Sequence, residues 1–277
     1  MISIVVLTFN SELTIAKTLS AAALVSDDLH VVDSFSTDRT LTIAQEHRAR
    51  IVQHEFEDYG AQRNWCIDHL PFKYRWQMHL DADEYLSAEL IQEINHLKEN
   101  LSETTDGYFI PRLTRFLGRD LAHGGLYPQW HMRLFRSGKG RCESRKYDQH
   151  FYVEGNTAKL HCPMIDDNRM SLSEWTARHN RWAEAEVEEL LAPSPSVIVG
   201  KLSGTAVERK RALKSRYYQL PLFIRPALFF LYRYFVRLGF LDGIPGLVYF
   251  TLQSFWFRFL VDAKLYERTR AKNLLNS

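Results

Sequence analysis

The sequence predicts an α/β protein, a parallel doubly wound sheet followed by a helical C-terminal extension. Three observations lead there. Short apolar runs alternate with helix-like stretches through the first third of the chain, the pattern of a parallel sheet. Those runs end in carboxylates or small polar residues, at the strand edge where open α/β sheets bind ligands. Beyond Pro195 the composition turns basic and aromatic.

Taken in order, Ile2 to Leu7 is a β-branched run suited to a strand covered on both faces. Thr8-Phe9-Asn10-Ser11-Glu12 follows, and Ser11 can cap a helix reaching about Val25. Leu29 to Val32 is the next strand and ends in Asp33. A polar loop, Ser34 to Thr40, leads to a helix over Leu41 to His47. Arg50 to His54 is a third strand, and Tyr59 to His69 a helix. Trp76 to Leu80 is a fourth strand, followed at once by Asp81, Asp83 and Glu84. Two aspartates one residue apart at a buried strand's end suit a hard divalent cation that also touches phosphate oxygens. They equally suit a strand end before a helix, with Asp83 or Ser87 capping the helix that starts near Ala88.

The 277 residues are enough for one large domain or two modest ones. Hydrophobic content of 45% and charged content of 25% describe an ordinary globular chain. The net charge of +2 hides an asymmetry, for Lys201 to Arg237 carries nine cations against Glu208 alone. Three cysteines without CxxC spacing argue against a disulfide framework or zinc site and for a reducing compartment. The apolar N-terminus reads as a first strand rather than a signal peptide, which points to the cytoplasm. No GxGxxG or GxxxxGK[ST] follows the first strand, so dinucleotide and P-loop readings lose support. Phosphates at this edge would need another counter-charge, from a metal on Asp81 and Asp83 or from Arg63.

Four blocks now stand in order: Val6 to Glu12, Val32 to Thr40, Tyr59-Gly60-Ala61-Gln62-Arg63-Asn64 and Leu80-Asp81-Ala82-Asp83-Glu84. Together they resemble glycosyltransferase family 2, the inverting enzymes of GT-A fold, and most of all the bacterial lipopolysaccharide-core β-1,4-glucosyltransferase branch. The resemblance implies a Rossmann-like GT-A sheet, a UDP-sugar donor and one divalent metal, Mn²⁺ or Mg²⁺. It implies that Thr8, Asn10, Glu12, Asp33, Ser36, Asp38, Arg63, Asp81 and Ala82 line the nucleotide-sugar site. Asp33 would take the uracil or ribose, and Asp81-Ala82-Asp83 would be the DxD motif, with Asp83 and Asp81 on the metal.

From Gly107 onward, Tyr108 to Arg112 and Trp130 to Arg136 read as strands rich in aromatics and arginine, around a glycine-bearing loop over 117–127. The second strand resembles the acceptor side of the family, which makes Trp130, Arg133 and His150 candidate acceptor-side residues. Trp130, Leu134 and Phe135 read as core residues equally well, and Arg133 as a surface ion pair. Inverting transfer needs a general base for the acceptor hydroxyl. Where the resembling branch has a His-Glu pair, this chain has Asp148-Gln149, which leaves Asp148 as the candidate base and Glu143 as the second.

Ser171-Leu172-Ser173-Glu174 predicts a capping box and a helix to about Leu191, most simply packed on the sheet. Ala192 to Ser196 reads as a linker. These boundaries divide the chain into a nucleotide-sugar half (1–105), an acceptor half (106–191) and a helical extension (192–277). In the extension, arginines interleaved with Phe, Tyr, Trp and Leu over 201–265 describe helices lying in a membrane interface. An oligomer interface is the alternative, and no nucleic-acid-binding motif is present. The function expected is sugar transfer from a UDP-sugar to a lipid-linked or lipopolysaccharide-type glycan, at the inner face of a bacterial inner membrane. A nucleotidyltransferase and a non-catalytic sugar-nucleotide-binding scaffold are the competing readings.

Overall fold

The computed structural model describes every residue except 100, 102–103, 145–147, 194–198, 205 and 276–277, together with the side chains of 206 and 272–275. It separates into two compact units. The first comprises Met1–Gly118, Pro128–Glu143 and Gln149–Arg169; the second comprises Arg119–Tyr127, Ser144–Asp148 and Met170–Ser277.

The first unit opens with β1 (Ile2–Thr8), α1 (Ile15–Ala23), β2 (Leu29–Asp33), α2 (Thr40–Glu46), β3 (Arg50–Gln53), α3 (Tyr59–His69) and β4 (Trp76–Asp81). β1 pairs in parallel with β2 and β4, and β2 with β3, which is the expected doubly wound start. Every residue of β2 is buried, as the β-branched runs require. Two helix starts differ in how they are capped. Asp58 accepts the Ala61 amide at 2.8 Å and fixes the start of α3 where the sequence put it. Ser11 does not cap α1, because its hydroxyl turns back to the Phe9 carbonyl and the helix starts only at Ile15.

Past β4 the sheet becomes mixed. The short strand β5 (Glu84–Leu86), α4 (Ala88–Glu99) and β6 (Gly107–Phe116) come next, and Ser87 caps α4 by accepting the Leu90 amide at 3.1 Å. The strand β7 (Arg119–Leu121) belongs to the second unit. The first unit continues with β8 (Gln129–Arg136), β9 (Gly140–Cys142), β10 (Phe151–Val153), β11 (Thr157–Lys159) and β12 (Met164–Asn168). The main sheet runs β3-β2-β1-β4-β8-β6-β12-β5, with β8 antiparallel to both β4 and β6. β9 and β10 form a separate antiparallel pair. The parallel, doubly wound arrangement expected for the first four strands holds, and the antiparallel pairings of β8 and β5 lie beyond them. The three cysteines are free thiols.

In the second unit, α5 (Leu172–Leu191) carries the expected capping box, with Ser171 and Glu174 bonded reciprocally. It is followed by α6 (Ala206–Tyr218), α7 (Ile224–Leu231), α8 (Gly243–Phe250) and α9 (Phe257–Leu275), with π-helical turns at Tyr232–Val236 and Thr251–Trp256. Ala183 and Val187 of α5 pack on Phe257 and Val261 of α9. The helix therefore groups with the C-terminal helices, and the boundary falls at 169/170 rather than at 191/192. Ser194, Pro195 and Ser196 of the expected linker lie outside the described residues.

Beside this apolar core the unit also buries ion pairs. Arg225 and Asp262 are 2% and 1% exposed and bond to each other, with Arg225 Nε 2.9 Å from Asp262 Oδ1. The same carboxylate accepts the Phe223 amide at 2.8 Å and holds that residue at φ +66°, so the chain turns into α7. Buried Glu186 is bonded by Lys214 at 2.8 Å, Tyr218 at 2.6 Å and Arg258 at 2.9 Å. Large apolar side chains face outward, among them Val236 at 69% and Ile244 at 77% exposure. Gly239–Ala271 is a helical run long and apolar enough to cross a membrane.

Candidate functional site

The candidate site gathers at the carboxyl ends of β1, β2 and β4, and it has two parts. In the first, the loops after β1 and β2 bind each other. Asp33 is fully buried, and its carboxylate accepts the Ser36 amide at 2.9 Å, the Ser36 hydroxyl and the Gln53 side chain at 3.1 Å. Asn10, at φ +47°, receives the Thr37 amide on Oδ1 at 2.8 Å while its own amide donates to Ser36 Oγ at 2.8 Å. The Glu12 amide donates to Asp38 Oδ2 at 3.1 Å, and the Arg39 amide to Glu12 Oε2 at 3.1 Å. Burial works to raise the Asp38 carboxyl, but hydrogen bonds from the Thr40 hydroxyl and amide and the Glu12 amide outweigh it and hold it below its ordinary value.

The second part is a cluster of arginines and carboxylates. Arg63, reaching from α3, places NH2 3.0 and 3.2 Å from the two oxygens of Asp81. Arg133 of β8 places NH2 3.0 Å from Asp81 Oδ2 and 2.6 Å from Glu84 Oε1. Burial opposes ionisation of Asp81, but the two guanidiniums hold its carboxyl well below the usual range. Burial raises Glu84, the Asp81 charge adds to that, and Arg133 only partly offsets it. Arg63 stays firmly charged because Asp81 outweighs the burial of its guanidinium. Three buried polar atoms here have no hydrogen-bond partner: Thr8 Oγ1, Arg63 Nε and Arg133 Nε. Orphaned donors of this kind mark a place where a polar ligand belongs.

Asp83 sits half-buried between β4 and β5, its carbonyl fixed by the Asp167 amide at 2.9 Å. Asp81 has both oxygens engaged by arginine, and Asp83 stands two residues further on, just past the end of β4. Among the described residues no three His, Cys, Asp or Glu side chains cluster as a metal cage. That donor set fits Mg²⁺ or Mn²⁺ arriving with a diphosphate, since such ions take one or two carboxylates, substrate phosphates and water. Ala82 is buried, and its carbonyl accepts the Thr18 hydroxyl at 2.9 Å, so this residue sets the spacing of the two aspartates.

α3 also joins the site to the next segment. A Cβ on Gly60 would collide with the Glu143 carbonyl, so only glycine lets the helix start this close. Asn64 exchanges two hydrogen bonds with the Cys142 backbone, both at 2.9 Å. Glu143 is 2% exposed and accepts the His150 amide at 3.2 Å, with His150 Nδ1 3.8 Å from the same oxygen. Asp148 belongs to the second unit, where it stands at φ +60° with Lys214 3.3 Å and Lys210 3.8 Å from its carboxylate. Of the acceptor-side candidates, Trp130 is half-buried under the Lys159 ammonium, 4.5 Å from the ring centre. Arg133 is neither a surface ion pair nor separate from the DxD residues, because it joins Asp81 to Glu84. Glu84, Gln53 and the Arg133 contact were not picked out from the sequence. Only the adjacency of Glu84 to Asp83 hinted at any of them.

The glycosyl transferase family 2 model matches residues 3–143, just over half of the chain and the whole stretch carrying this arrangement. The chain belongs to glycosyltransferase family 2. A Rickettsia conorii protein named as an uncharacterized glycosyltransferase is 32% identical over 100 residues, which cover 35% of this chain and 33% of that protein. A Rickettsia bellii relative with the same description is 33% identical over 96 residues, 35% of this chain and 32% of its own. The matched stretch thus spans about a third of the length of these curated relatives. Among solved structures, Staphylococcus aureus TarS (residues 1–349) is similar at TM-score 0.47 and 15% identity, over 97% of this chain and 91% of that one. Glucosyl-3-phosphoglycerate synthase from Mycobacterium tuberculosis, solved with Mn²⁺, UDP and phosphoglyceric acid, is similar at TM-score 0.45 and 18% identity, over 73% of this chain and 81% of that one. The family's expected residues Asp33, Arg63, Asp81 and Asp83 all lie in the first unit.

Proposed function

We propose that this glycosyltransferase family 2 chain is a metal-dependent inverting enzyme that moves a sugar from a UDP-sugar to a lipid-linked or lipopolysaccharide-type glycan. The observation that carries the reading is the set of orphaned polar atoms on Arg63, Arg133 and Thr8, with both arginines held on Asp81. Guanidiniums with unused N–H groups next to a carboxylate suit a diphosphate and its cation. In this reading Asp33 and the Asn10–Ser36 contact receive uracil or ribose. Arg63 and Arg133 face the phosphates, and Asp83 holds the metal, which stabilises charge on the departing diphosphate.

A general base has to reach the acceptor hydroxyl. Glu143 is sealed at 2% exposure, whereas the Asp148 side chain is 20% exposed. This supports Asp148 as the base, with Glu143 second and His150 as the residue that holds Glu143. The outward apolar side chains of the second unit and its buried ion pairs support helices lying on the inner face of a bacterial membrane, where a lipid-linked acceptor is found.

The test uses purified protein. UDP raises the melting temperature only with Mn²⁺ or Mg²⁺ present, and Asp83→Ala removes that dependence. With UDP-sugar and glycolipid acceptor, Asp148→Asn lowers kcat by roughly 10²-fold or more, while UDP binding persists. Absence of any UDP-induced shift with either metal sinks the donor assignment, and full turnover in Asp148→Asn transfers the base role to Glu143.

A further inference from the structure

The helical unit carries a second group of cations that the transfer reaction leaves unused. Its loop Arg119–Tyr127 is pinned to the turn before α8. The Ala122 and His123 amides donate to the Asp242 carboxylate at 3.3 and 3.0 Å, and His123 Nδ1 lies 2.6 Å from Asp242 Oδ1. The Gly124 amide donates to the Arg237 carbonyl at 2.8 Å, and Arg233 Nε donates to the Gly124 carbonyl at 2.8 Å. At φ +64°, Gly124 also lies so close to the Phe250 ring that a Cβ would collide with it. Asp242 is thereby buried with three partners from this loop, and its hold on Nδ1 turns the other ring nitrogen of His123 away from it.

Two guanidiniums flank this pinned loop. Arg119 NH2 is 3.4 Å from the Leu241 carbonyl, and the Arg237 guanidinium lies over Gly125, 3.6 Å from where a Cβ would stand. Both arginines are exposed, and neither has a carboxylate partner among the described residues. The side chains around them are apolar and outward: Leu238 at 47%, Phe240 at 43%, Leu241 at 47% and Ile244 at 77% exposure.

We infer that Arg119, His123 and Arg237 form a binding site for the phosphate of a membrane lipid, at the foot of an apolar knuckle made by Leu238, Phe240, Leu241 and Ile244. This rests on the membrane reading of the helical unit and adds a defined headgroup contact to it. An element whose apolar face enters the acyl region carries its flanking arginines at headgroup depth, where phosphates lie. Arginine takes phosphate through paired N–H donors, and two fixed guanidiniums plus an imidazole give that anion directional partners. Free phosphate would account for the cations but leave the four exposed apolar side chains without a role.

Flotation of the full chain with vesicles tests the inference. Native protein binds phosphatidylcholine vesicles containing phosphatidylglycerol. Arg119→Gln/Arg237→Gln binds them about 30-fold more weakly, while Lys201→Gln/Arg209→Gln, with the same change in charge, stays within about 3-fold. Vesicles of phosphatidylcholine and a neutral diacylglycerol bind more weakly than those containing phosphatidylglycerol. Unchanged binding by the first pair, equal losses by both pairs, or equal binding to the two vesicle types overturns the headgroup site while leaving membrane association standing. Failure of the native protein to bind any vesicle overturns the membrane reading itself.

Discussion

The two units solve the burial of charge in opposite ways. The sheet unit hides its aliphatic strands and holds Arg63, Arg133, Asp81 and Glu84 together past one end of them, with two guanidinium Nε atoms left unbonded. The helical unit hides its ion pairs and turns Phe, Leu and Ile outward. In the first, unsatisfied donors are a vacancy for ligand. In the second, Arg225 and Glu186 are matched internally, which leaves an exterior suited to a medium poor in hydrogen bonds. The same residue types thus leave polar atoms unbonded in one unit and hold helices together in the other.

The largest expected effect tests the sheet side of that contrast. Arg133→Met leaves Asp81 and Glu84 sharing a buried pocket with one fewer cation, and breaking such a cluster costs about 3–5 kcal/mol. Urea unfolding should record that loss, together with loss of UDP binding. A variant that keeps native stability but loses UDP would mean that Arg133 serves the ligand alone.

On the helical side, Asp262→Asn leaves Arg225 charged and buried and weakens the Phe223 turn. The expected loss is about 3 kcal/mol, and the volume-matched pair Arg225→Met/Asp262→Leu should recover much of it. If the double variant remains as unstable as the single one, the contact sets the turn at Phe223 rather than balancing charge.

The smallest effect is a pH dependence. Burial between Trp175 and Phe257 pushes His179 down to about 4. Its folded value lies below the unfolded one, near 6.5, so the unfolded chain binds the extra proton between these values. Stability of the helical unit therefore rises with pH across that window, is complete above it, and falls on acidification by on the order of 2 kcal/mol. His179→Gln should flatten the acid limb of a melting-temperature profile. An unchanged slope would assign the acid sensitivity to other groups.

Local sequence determined much of the first half. The β-branched runs of β1 and β2 and the span of α3 read correctly because each depends on neighbours within a few residues. Elements whose identity depends on a distant partner did not read. β5 has only three residues and becomes a strand by pairing with Met164–Asp166. The apolar stripe of α5 showed that a face would be buried, but whether a sheet or α9 would cover it is a tertiary matter. Arg133 read as acceptor-side from the resemblance of the Trp130–Arg136 run to that part of the family, and sequence spacing gave no sign that β8 pairs with β4 and sets Arg133 on Asp81 and Glu84. Likewise the carboxylates of the DxD stretch were visible, while the arginines that occupy Asp81 were not.

The mutual bonding of the Asn10–Glu12 and Asp33–Thr40 loops has a consequence for how a donor is recognised. Their backbone amides are already spoken for by side chains of the opposite loop, so their conformational freedom is surrendered during folding rather than on encounter. On the proposed reading, a nucleotide would meet a finished mould there, and its affinity would not be diminished by ordering either loop. Discrimination among bases is then a matter of fit to fixed lone pairs and amides, and it should persist in fragments of the donor as small as uridine.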